Sequence, residues 1–463
     1  MLLRSLCSIN DGAKNSFEAV IRLIEQRNRE IAVDVKTIPF SRLDGWSMDE
    51  DGSLKHSSGK FFSVEGIEVT TDYGAVHRWT QPVINQPEIG YLGLIAKEFN
   101  GVLHFLMQMK IEPGNIDCVQ ASPTLQATKS NFRQVHKGRK PLYLDYFEKA
   151  APNQIIVDQL QSEHGSRFLR KRNRNIIIMA DGDIEVHEDF CWMTAGQIKA
   201  LLLLNDKVNS PARSVFSLLN IGAFILPFDD TRRLSGFGKS LLLSARTNYG
   251  LHTMDYLLSW LSGIKARYDL NVRPYPLSKM TEWRINDSEI FHKDDKFFKV
   301  LGISVSIASR EVTSWRQPVI APVQNYLCVF IIKEINGIQH FLVQAKLECG
   351  NYDAMELAPS VQCLTGKDGN TNGYVPFLDY VRGVKQEHIL HDTIQSEEGG
   401  RFYHDRNRYM LITAGEDFQA ELPENYVWMT LNQIYSFLRF NNFVNAQARS
   451  LLAALPYLEN QIH

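Results

Sequence analysis

The sequence predicts an α+β protein built from two copies of one mixed-sheet domain, joined by a helical connector. Residues 79–126 align with residues 315–362 without a gap at an offset of 236, and 21 of the 48 paired positions are identical. Each copy carries an Asn-Gly pair between two apolar runs, which is typical of a β-hairpin. Each copy also ends in a helix-capping sequence. Both halves are therefore expected to fold as the same unit.

The N-terminal segment and the connector are predicted to be helical. Residues 12–33 place Val20, Ile21 and Ile24 at helical spacing, which indicates an amphipathic helix. The connector is too hydrophobic for a free linker, so we expect it to pack on a domain or on a second subunit. The predicted divisions are an N-terminal helix at 1–35, the first repeat at 36–218, the connector at 219–272 and the second repeat at 273–463.

A hairpin is the clearest predicted element of each repeat. In the first copy, residues 92–99 and 102–111 flank Asn100-Gly101, and the second copy has Asn336-Gly337 at the matching place. An Asn-Gly pair suits the positive φ angles of a type I′ turn. The sequence therefore predicts the same two-residue turn in both repeats.

Each repeat is predicted to close with a helix. Thr194 and Thr430 each precede a Gln by three residues, which is the pattern of a capping box. The helices are expected to continue through Arg213 and Arg449. Strand-like segments are predicted at 61–69 and 297–305.

Composition argues against several classes of protein. Lys and Arg number 50 against 52 Asp and Glu, a formal charge of -2, so nothing global favours nucleic acid or an anionic membrane. No apolar run reaches the roughly 18 residues of a membrane span. The six cysteines form no CxxC and none recurs at the matching position, which fits a reducing compartment. We therefore predict a cytoplasmic protein without a nucleic-acid or membrane partner.

Several signatures of cofactors and catalysis are missing from the sequence. There is no GxGxxG opening a helix, no Walker A sequence, no His/Cys cluster with zinc spacing and no GxSxG elbow. Any catalysis is therefore predicted to proceed without a redox cofactor or a metal ion.

A stripe of polar side chains follows the second strand of each hairpin. Because side chains alternate between the faces of a strand, Phe105, Met107, Met109 and Ile111 should face the core. A solvated sheet face and a lined cavity both account for the polar residues opposite, and their repetition at identical spacing favours the cavity. The residues of this polar stripe are His104, Gln108, Lys110 and Glu112, and in the second copy His340, Gln344, Lys346 and Glu348.

Other repeated polar residues are candidates for ligand binding. A tryptophan can stack on a base or sugar while a glutamine bonds its edge, and a buried structural tryptophan fits equally well. Three arginines beside a glycine can bind a phosphorylated group, and surface salt bridges explain them equally well. Arg170 and Lys171 are interpreted as plain surface charge. The candidates are Trp79, Gln81, Asn115, Gln126, Arg167, Arg172 and Arg174, and in the second copy Trp315, Gln317, Asn351, Gln362, Arg401, Arg406 and Arg408.

Together these residues resemble the NDP-hexose 2,3-dehydratase family of deoxysugar biosynthesis. The resemblance covers nearly the whole chain, and several long motifs in order are more specific than any short pattern. In the first half the motifs are Trp79 to Pro82, Gln108 to Asn115, Ser122 to Thr128, Asn131-Phe132, Val135-His136 and Tyr143 to Tyr146. In the second half they are Trp315 to Pro318, Gln344 to Glu348, Ala358 to Cys363, Ser396 to Phe402 and Asn407 to Tyr409.

The resemblance implies two tandem Nudix-like domains, usually in a homodimer, without the Nudix metal box. Glu397-Glu398-Gly399 is only a weak echo of that box. The implied substrate is a dTDP-4-keto-6-deoxyhexose, which loses water across C2 and C3 and becomes a 3,4-diketo-2,6-dideoxyhexose. The second copy departs from the first, with Cys349 where the first has Pro113 and with Lys367-Asp368 where it has Ser130-Asn131. One copy can therefore catalyse while the other binds a nucleotide sugar or supports the fold.

The implied reaction assigns hypothetical roles to these residues. The C4 ketone acidifies the C3 proton, so catalysis needs a base, a stabiliser of the enolate and an acid for the C2 hydroxyl. The first repeat is slightly favoured as the catalytic one because it keeps the longer family-like run after Gln126. A structural role is the alternative for Lys110 and Glu112, whose charges can simply neutralise each other. The candidates are Glu112 or His104 as base, Lys110 for the enolate, Gln108 for orientation and Tyr143 or Glu163 as acid, and in the second repeat His340, Gln344, Lys346, Glu348 and Glu397.

Two other functions stay open on the sequence alone. One is a nucleotide-sugar binding protein without chemistry. The other is a Nudix-type NDP-sugar pyrophosphatase, against which the missing acidic helix argues.

Overall fold

The computed structural model describes most of the chain, and it confirms the predicted α+β class with two repeated halves. None of the helices in the described ranges is long and apolar enough to cross a lipid bilayer. The motif Val135-His136 and the positions Lys367-Asp368 lie outside the described residues. The described residues are 1–132, 140–224, 231–307, 314–366, 371, 373–415, 418 and 421–458.

The predicted N-terminal amphipathic helix is confirmed over Phe17–Glu30. The Ser16 hydroxyl accepts a hydrogen bond from the Ala19 backbone N–H and so satisfies a donor at the helix start. Val20 and Ile24 are buried, and this face packs against the first repeat. The two N-terminal helices are α1 (Leu2–Cys7) and α2 (Phe17–Glu30).

The first repeat contains a seven-stranded mixed sheet and a smaller sheet. Its elements are β1 (Val33–Ile38), β2 (Trp46–Met48), β3 (Leu54–His56), β4 (Ser63–Thr71), β5 (Arg78–Asn85), β6 (Gly90–Phe99), β7 (Val102–Ile111), β8 (Val119–Ser122), β9 (Leu125–Ala127), α3 (Lys129–Phe132), α4 (Leu144–Glu148), β10 (Ile155–Ser162), β11 (Phe168–Leu169), β12 (Arg172–Met179), β13 (Phe190–Thr194), α5 (Ala195–Leu202) and α6 (Ser210–Phe216). The large sheet has the order β10-β12-β6-β7-β13, with β8 on β7 and β9 on β6. It is mixed because β12 runs parallel to β6 while β6 and β7 are antiparallel.

The helical connector leads into the second repeat, which has the same plan as the first. Their elements are α7 (Ile221–Phe224), α8 (Gly236–Arg246), α9 (Met254–Arg267), β14 (Leu270–Pro274), β15 (Trp283–Ile285), β16 (Glu289–His292), β17 (Phe298–Ile307), β18 (Ser314–Pro322), β19 (Asn325–Ile335), β20 (Ile338–Leu347), β21 (Met355–Ala358), β22 (Val361–Thr365), α10 (Leu378–Arg382), β23 (Ile389–Ser396), β24 (Arg406–Thr413), β25 (Tyr426–Thr430), α11 (Leu431–Leu438) and α12 (Ala446–Ala453). The second large sheet joins β23, β24, β19 and β20, with β21 and β25 on β20 and β22 on β19.

Both predicted hairpin turns are confirmed. Asn100 and Gly101 have φ angles of 52° and 80°, and Asn336 and Gly337 have 53° and 76°. Positive φ at both central residues is the type I′ geometry, whose twist matches that of the flanking strands. The turns fix the register of β6 with β7 and of β19 with β20.

The closing helix of each repeat is broken in two, which corrects the prediction of one helix through Arg213. The predicted capping boxes do form at Thr194 and Thr430. However, α5 ends at Leu202, and the chain turns at Asp206, whose φ is 55°. Asn209 then caps a second helix, α6, because asparagine is favoured at a helix start over the helix interior. A proline lies in the first turn of this helix.

The two repeats exchange a strand. β1, at the start of the first repeat, pairs with β17 of the second, where Val35 lies opposite Val305. β14, from the end of the connector, pairs with β4 of the first repeat, where Val272 lies opposite Val69. The small sheet of each half is therefore completed by the segment that leads into the other half. The sequence boundaries near 36 and 273 stay a prediction, and hydrogen bonds cross both of them.

One hydrophobic core connects the two large sheets. Phe105, Met107, Met109 and Ile111 are buried in it as predicted, together with Phe341, Val343 and Ala345 from the second repeat. Leu241, Leu257 and Leu261 of the connector belong to the same cluster, which confirms that the connector packs on the domains. Separate clusters around Leu106 and Leu342 cover the outer face of each large sheet.

Candidate functional site

Each repeat holds a buried carboxylate at the end of its second hairpin strand. Glu112 follows β7 and is 3% exposed. The Gln126 side-chain amide donates a hydrogen bond to Glu112 Oε1 at 2.6 Å, and the Asn209 amide donates to Gln126 Oε1 at 3.1 Å. Asn209 Oδ1 accepts from the Ala212 N–H as the cap of α6. A strand and a helix terminus therefore hold the Glu112 carboxylate in place.

The second repeat reproduces this arrangement. The Gln362 amide donates to Glu348 Oε1 at 3.1 Å, and the Asn445 amide donates to Gln362 Oε1 at 2.7 Å. Asn445 caps α12 as Asn209 caps α6. The duplication has therefore kept both the carboxylate and the two amides that orient it.

Both carboxylates lie at the interface between the repeats. The Gly399 N–H donates to Glu112 Oε2 at 3.2 Å, and the Gly399 carbonyl accepts from the Gly114 N–H at 2.8 Å. Gly350 makes the mirror contact with the Gly165 carbonyl at 2.7 Å. A Cβ on Gly114 or Gly350 would lie 1.7 Å from a carbonyl oxygen of the opposite repeat, so only glycine permits this approach. Each site is therefore composed of residues from both repeats.

Three carboxylates and two cations meet in what we call the first composite site. Burial and the neighbouring Glu163 carboxylate raise the pKa of Glu398 to about 7, and Glu112 acts in the same direction. The positive charges of Arg401 and Lys171 oppose that shift. A carboxyl group with a pKa near neutrality can donate or accept a proton at neutral pH. The site consists of Glu112, Glu163, Lys171, Glu398 and Arg401.

The two cations of the first composite site are held by neighbouring groups. Arg401 Nε donates to Gln86 Oε1 at 3.0 Å, and the guanidinium lies 4.2 Å from the centre of the Phe62 ring. Lys171 donates to the backbone carbonyl of Glu88, and burial lowers the pKa of the Lys171 ammonium. Lys171 is 5% exposed, so its interpretation as surface charge is wrong.

The second composite site is built on an ion pair. His164 Nε2 lies 2.8 Å from Glu397 Oε2, and His164 Nδ1 lies 2.7 Å from the Gln447 side-chain nitrogen. Burial alone would lower the pKa of His164, but the Glu397 carboxylate raises it to about 8. The same contact, with a hydrogen bond from the Tyr409 hydroxyl at 2.7 Å, lowers the pKa of Glu397. This site consists of Glu348, Glu397, Asp405, His164 and Arg167.

The two composite sites differ in their access to solvent. Three members of the first site are half-buried, whereas their counterparts in the second are only 2%, 4% and 5% exposed. Tyr326 stands where the first repeat has Gly90, and its hydroxyl donates to Ser166 Oγ at 3.0 Å. The Arg167 guanidinium lies 5.7 Å from the centre of the Tyr326 ring, so this ring borders the second site. The half-buried members are Glu163, Glu398 and Arg401, and their counterparts are Glu397, His164 and Arg167.

Comparison with known families agrees with the repeated architecture. The family model described as NDP-hexose 2,3-dehydratase matches residues 17–219 and 254–455, one stretch in each half. The chain belongs to the NDP-hexose 2,3-dehydratase family. The resemblance read from the motifs is therefore confirmed.

Named relatives match this family member over almost their whole length. A Saccharopolyspora spinosa protein named dTDP-4-dehydro-6-deoxy-alpha-D-glucopyranose 2,3-dehydratase is 42% identical over 445 residues, 94% of this chain and 90% of that protein. Proteins of the same name from Streptomyces violaceoruber and Amycolatopsis orientalis are 42% and 40% identical. They cover 91% and 96% of this chain and 92% and 91% of their own lengths.

Among solved structures, the chain is similar to one titled as an ADP compounds hydrolase. The identity is 17% and the TM-score is 0.21, over 34% of this chain and 82% of that chain. The Nudix-like character of each repeat stays a prediction.

The polar stripe of this family member is divided between two places. Leu125 and Ala127 pack with Leu106 on the outer face, so Gln126 between them points to the opposite side, where it bonds Glu112. Glu112 thus leaves the face of Lys110, because β7 ends at Ile111 and alternation no longer applies. The prediction that the two share one face is wrong.

The lysines and glutamines of the stripe stay on the outer face. In the second repeat Gln344 donates to the Pro359 carbonyl at 2.7 Å, and the Tyr426 hydroxyl lies 3.4 Å from Gln344 Oε1. Gln108, Lys110 and Lys346 are half-buried, so these side chains are partly covered rather than fully exposed to solvent.

The stripe histidines lie at the far end of the strand and bond the backbone. His104 contacts the Val102 carbonyl through Nδ1 at 3.0 Å, and its Nε2 accepts from the Lys14 N–H at 3.1 Å. His340 accepts from the Leu251 N–H at 2.9 Å in the same way. Eight residues of strand separate His104 from Glu112, about 26 Å at the usual rise. The structure does not bring these histidines to the carboxylates.

The predicted arginine cluster is also divided. Arg174 forms an ion pair with Asp158 of the neighbouring strand, and Arg408 forms one with Asp392. The N···O distance is 2.6 Å in both pairs. The remaining two strand arginines have other partners: Arg172 lies 4.6 Å from the Tyr352 ring, and Arg406 pairs with Asp206. Of the predicted arginines, Arg401 belongs to the first composite site and Arg167 to the second.

The tryptophan–glutamine pairs support the loops of the composite sites. Trp79 Nε1 donates to Gln81 Oε1 at 2.9 Å, and Gln81 donates to the Ser166 carbonyl at 3.0 Å. In the second copy, the corresponding distances from Trp315 to Gln317 and from Gln317 to the Gly400 carbonyl are 3.3 Å and 2.7 Å. These contacts favour the structural interpretation of both tryptophans.

Asn115, Asn351 and Tyr143 lie in three different parts of the structure. Asn115 donates to Glu112 Oε2 at 3.3 Å and belongs with the first composite site. Asn351 is buried beside Gly165, where an added Cβ would lie 2.1 Å from Asn351 Oδ1. Tyr143 packs in the outer cluster and donates to the Glu185 carbonyl at 2.8 Å, while burial raises its pKa.

Sequence reasoning missed Glu398, His164 and Tyr326. Glu398 and His164 occupy the matching position of two otherwise similar loops, so their difference was the available signal. Among the described residues, one group has His and carboxylate atoms within 4.8 Å of one another as a metal site requires, namely Glu282, His292 and Asp294. His292 of this group ends β16 in the small sheet of the second repeat.

Proposed function

We propose that this protein removes water across C2 and C3 of a dTDP-4-keto-6-deoxyhexose to give a 3,4-diketo-2,6-dideoxyhexose, in deoxysugar biosynthesis. The observation that carries the proposal is the family match over both halves, together with relatives of this activity at 40 to 42% identity. The product class follows from the reaction, because the first product is an enol that tautomerises to the diketone.

The reaction requires proton transfer at two adjacent carbons. A base takes the C3 proton, which the C4 ketone acidifies, and the enolate oxygen needs a positive or hydrogen-bonding group. The C2 hydroxyl then leaves as water, with a proton from an acid. Each acid or base contributes about 10²–10⁴ in rate. The first composite site supports the proposal because it supplies ionisable carboxyl groups beside two cations.

Several of the sequence-predicted residues remain candidates in this proposal. Glu112 and Glu163 fit it because both belong to the first composite site, with Arg401. Lys110 and Lys346 fit it only if the sugar also reaches the outer face of the sheet. The homodimer, the thymidine preference and the cytoplasmic location stay predictions as well.

The direct test is incubation of the purified protein with dTDP-4-keto-6-deoxyglucose and mass spectrometry of the nucleotide sugar. We expect loss of the mass of one water, with a ketoreductase or a chemical reductant added to trap the unstable diketone. Binding without any mass change would instead favour a binding protein. Magnesium-dependent release of a sugar phosphate would favour a pyrophosphatase.

A paired substitution tests the polar stripe separately. Lys110→Met and Lys346→Met each remove one outer-face ammonium, one per repeat. If the stripe stabilises the enolate, the variant in the catalytic repeat should lose about 10² or more in kcat, because one such donor contributes roughly 3–4 kcal/mol. Full activity in both variants would remove the stripe lysines from the mechanism.

A further inference from the structure

The matched loops that reach across the repeat interface differ at a single ionisable position. Residues 161–168 read Gln-Ser-Glu-His-Gly-Ser-Arg-Phe, and residues 395–402 read Gln-Ser-Glu-Glu-Gly-Gly-Arg-Phe. The shared residues have structural roles in both copies, such as the close approach of Gly165 and Gly399 to the opposite repeat. The change from His164 to Glu398 therefore alters the chemistry of the two composite sites without altering their framework.

Lys171 and Asp405 are exchanged in the opposite sense, so each composite site has three acidic and two basic side chains, and the sites differ in which of these groups face each other. In the second composite site His164 is 2.8 Å from Glu397 and compensates its charge. In the first, Glu398 replaces that partner with a carboxyl group that interacts repulsively with Glu163. Asn173 donates to Glu163 Oε1 at 2.6 Å and holds this carboxyl group in place. Burial and this repulsion raise the pKa of Glu398 to about 7.

The two composite sites also differ in their exposure to solvent. Glu163 and Glu398 are half-buried and reach solvent, while Glu397 and His164 are buried. Tyr326 borders the second site, and the first repeat has Gly90 at the matching position. The carboxyl groups of the first site are therefore more exposed to solvent than those of the second.

We infer that Glu398 is the acid that protonates the departing C2 hydroxyl, that Glu163 is the base that takes the C3 proton, and that the second composite site is closed to substrate. This inference rests on the proposed dehydratase function. Glu163 removes the C3 proton, and the C3–H electron pair forms the enolate with the C4 oxygen. The enolate then collapses to the C2–C3 double bond as the C2–O bond breaks. Glu398 gives its proton to that oxygen, and water leaves.

The other members of the first composite site have supporting roles in this scheme. The Arg401 guanidinium is half-buried, and it and Lys171 supply positive charge near the developing enolate. Glu112 is a positioning residue. It is 3% exposed and already accepts hydrogen bonds from Gln126, Asn115 and the Gly399 N–H, the last of which fixes the loop that carries Glu398.

The test compares the same loop position in the two repeats. Glu398→Gln keeps the shape and removes the acid, and His164→Gln makes the matched change in the closed site. With dTDP-4-keto-6-deoxyglucose, E398Q should lose about 10²–10⁴ in kcat with little change in KM. H164Q should retain kcat within a few-fold while its melting temperature falls. Tyr326→Phe serves as a second control for the closed site and should keep both kcat and KM.

Two further readouts distinguish an acid from a structural residue. The kcat of the wild type should fall as pH rises above neutrality, where Glu398 loses its proton, and this limb should be missing from E398Q. E398Q should also melt at a higher temperature than the wild type at pH 8, because it removes repulsion from Glu163. A structural glutamate would give the opposite change in melting temperature.

Three results would overturn the inference. E398Q with wild-type kcat would exclude Glu398 as the acid while leaving the dehydratase function intact. Loss of kcat in Y326F or in folded H164Q as large as in E398Q would show that the second composite site takes part. A wild type that removes no water from the keto sugar would refute the proposed function, and the inference with it.

Discussion

At the residue scale, the His164–Glu397 pair shows how a buried charge is tolerated in this protein. Glu397 is 2% exposed, yet Tyr409 and Asn407 donate to its Oε1 at 2.7 Å and 2.8 Å while His164 faces its Oε2. Gln447 completes the bonding of the imidazole. A buried ion pair needs such additional partners, since desolvation otherwise exceeds the attraction. Removal of either partner should therefore cost stability.

The His164 pair predicts a particular pH dependence of stability. The folded pKa is about 8, above the ordinary 6.5, so the stabilisation is complete below about pH 6.5 and is lost as pH rises through about 8. The full effect is on the order of 2 kcal/mol. Urea unfolding of the wild type at pH 6.5 and pH 9 should show this decrease in the free energy of unfolding. H164Q should be less stable at pH 6.5 and should lose less between the two pH values. An equal decrease in the variant would assign the effect to other groups.

At the element scale, the hairpin turns show how far local sequence sets backbone geometry. Gly337 sits at φ 76° with nothing within 4 Å of an added Cβ, so its requirement for glycine is purely conformational. Gly114 differs, because there the opposite repeat occupies the space of a side chain. The same residue type is therefore fixed by the turn in one place and by packing in the other.

Two exposed glycines give a matched test of that conformational effect. Gly337→Ala places a side chain in a left-handed conformation and should lower the free energy of unfolding by about 1–2 kcal/mol. Gly263→Ala lies within α9, also with open space around it, and should raise stability by about 0.5–1 kcal/mol through helix propensity. Thermal or urea melts of both variants against the wild type check the signs. Equal shifts of one sign would contradict the assignment.

At the scale of the whole molecule, the two repeats are interlocked by shared sheets and are not independent tandem domains. β1 and β14 each complete the small sheet of the other half. The buried Arg213 donates to the Ser396 carbonyl at 2.8 Å, and Arg449 makes the matching bond to Ser162. The composite sites exist only because these contacts bring the two loops together. Folding of either half alone would leave buried polar groups and sheet edges unpaired.

This interlocking predicts the behaviour of a divided chain. Fragments 1–253 and 254–463, cut in the exposed loop before α9, each lack a strand that the other supplies. Expressed singly, each should be insoluble or melt without a cooperative transition. Co-expressed, they should associate and melt as one unit, as the intact chain does. Cooperative folding of either fragment alone, by circular dichroism and calorimetry, would contradict the interlocked architecture.

The sequence by itself determined the duplication, the hairpins, the helix caps and the inward row from Phe105 to Ile111. These features depend on short-range rules, namely turn conformation, capping and strand alternation, and two copies of each made them visible. Gln126 and Asn115 were identified as repeated polar residues, but their hydrogen bonds to Glu112 were not predicted.

Only the tertiary structure decided how the polar residues are grouped. Glu398 and Lys171 join Glu112 from elements far away in sequence, His104 is carried to the other end of its strand, and the face of Glu112 changes where β7 stops. Glu112 is held by a backbone N–H of the second repeat, and the pKa of Glu398 in the second repeat is raised by burial and by Glu163 of the first. Such contacts arise only when both halves pack, because burial and the distance between charges are properties of the assembled interface rather than of any one segment.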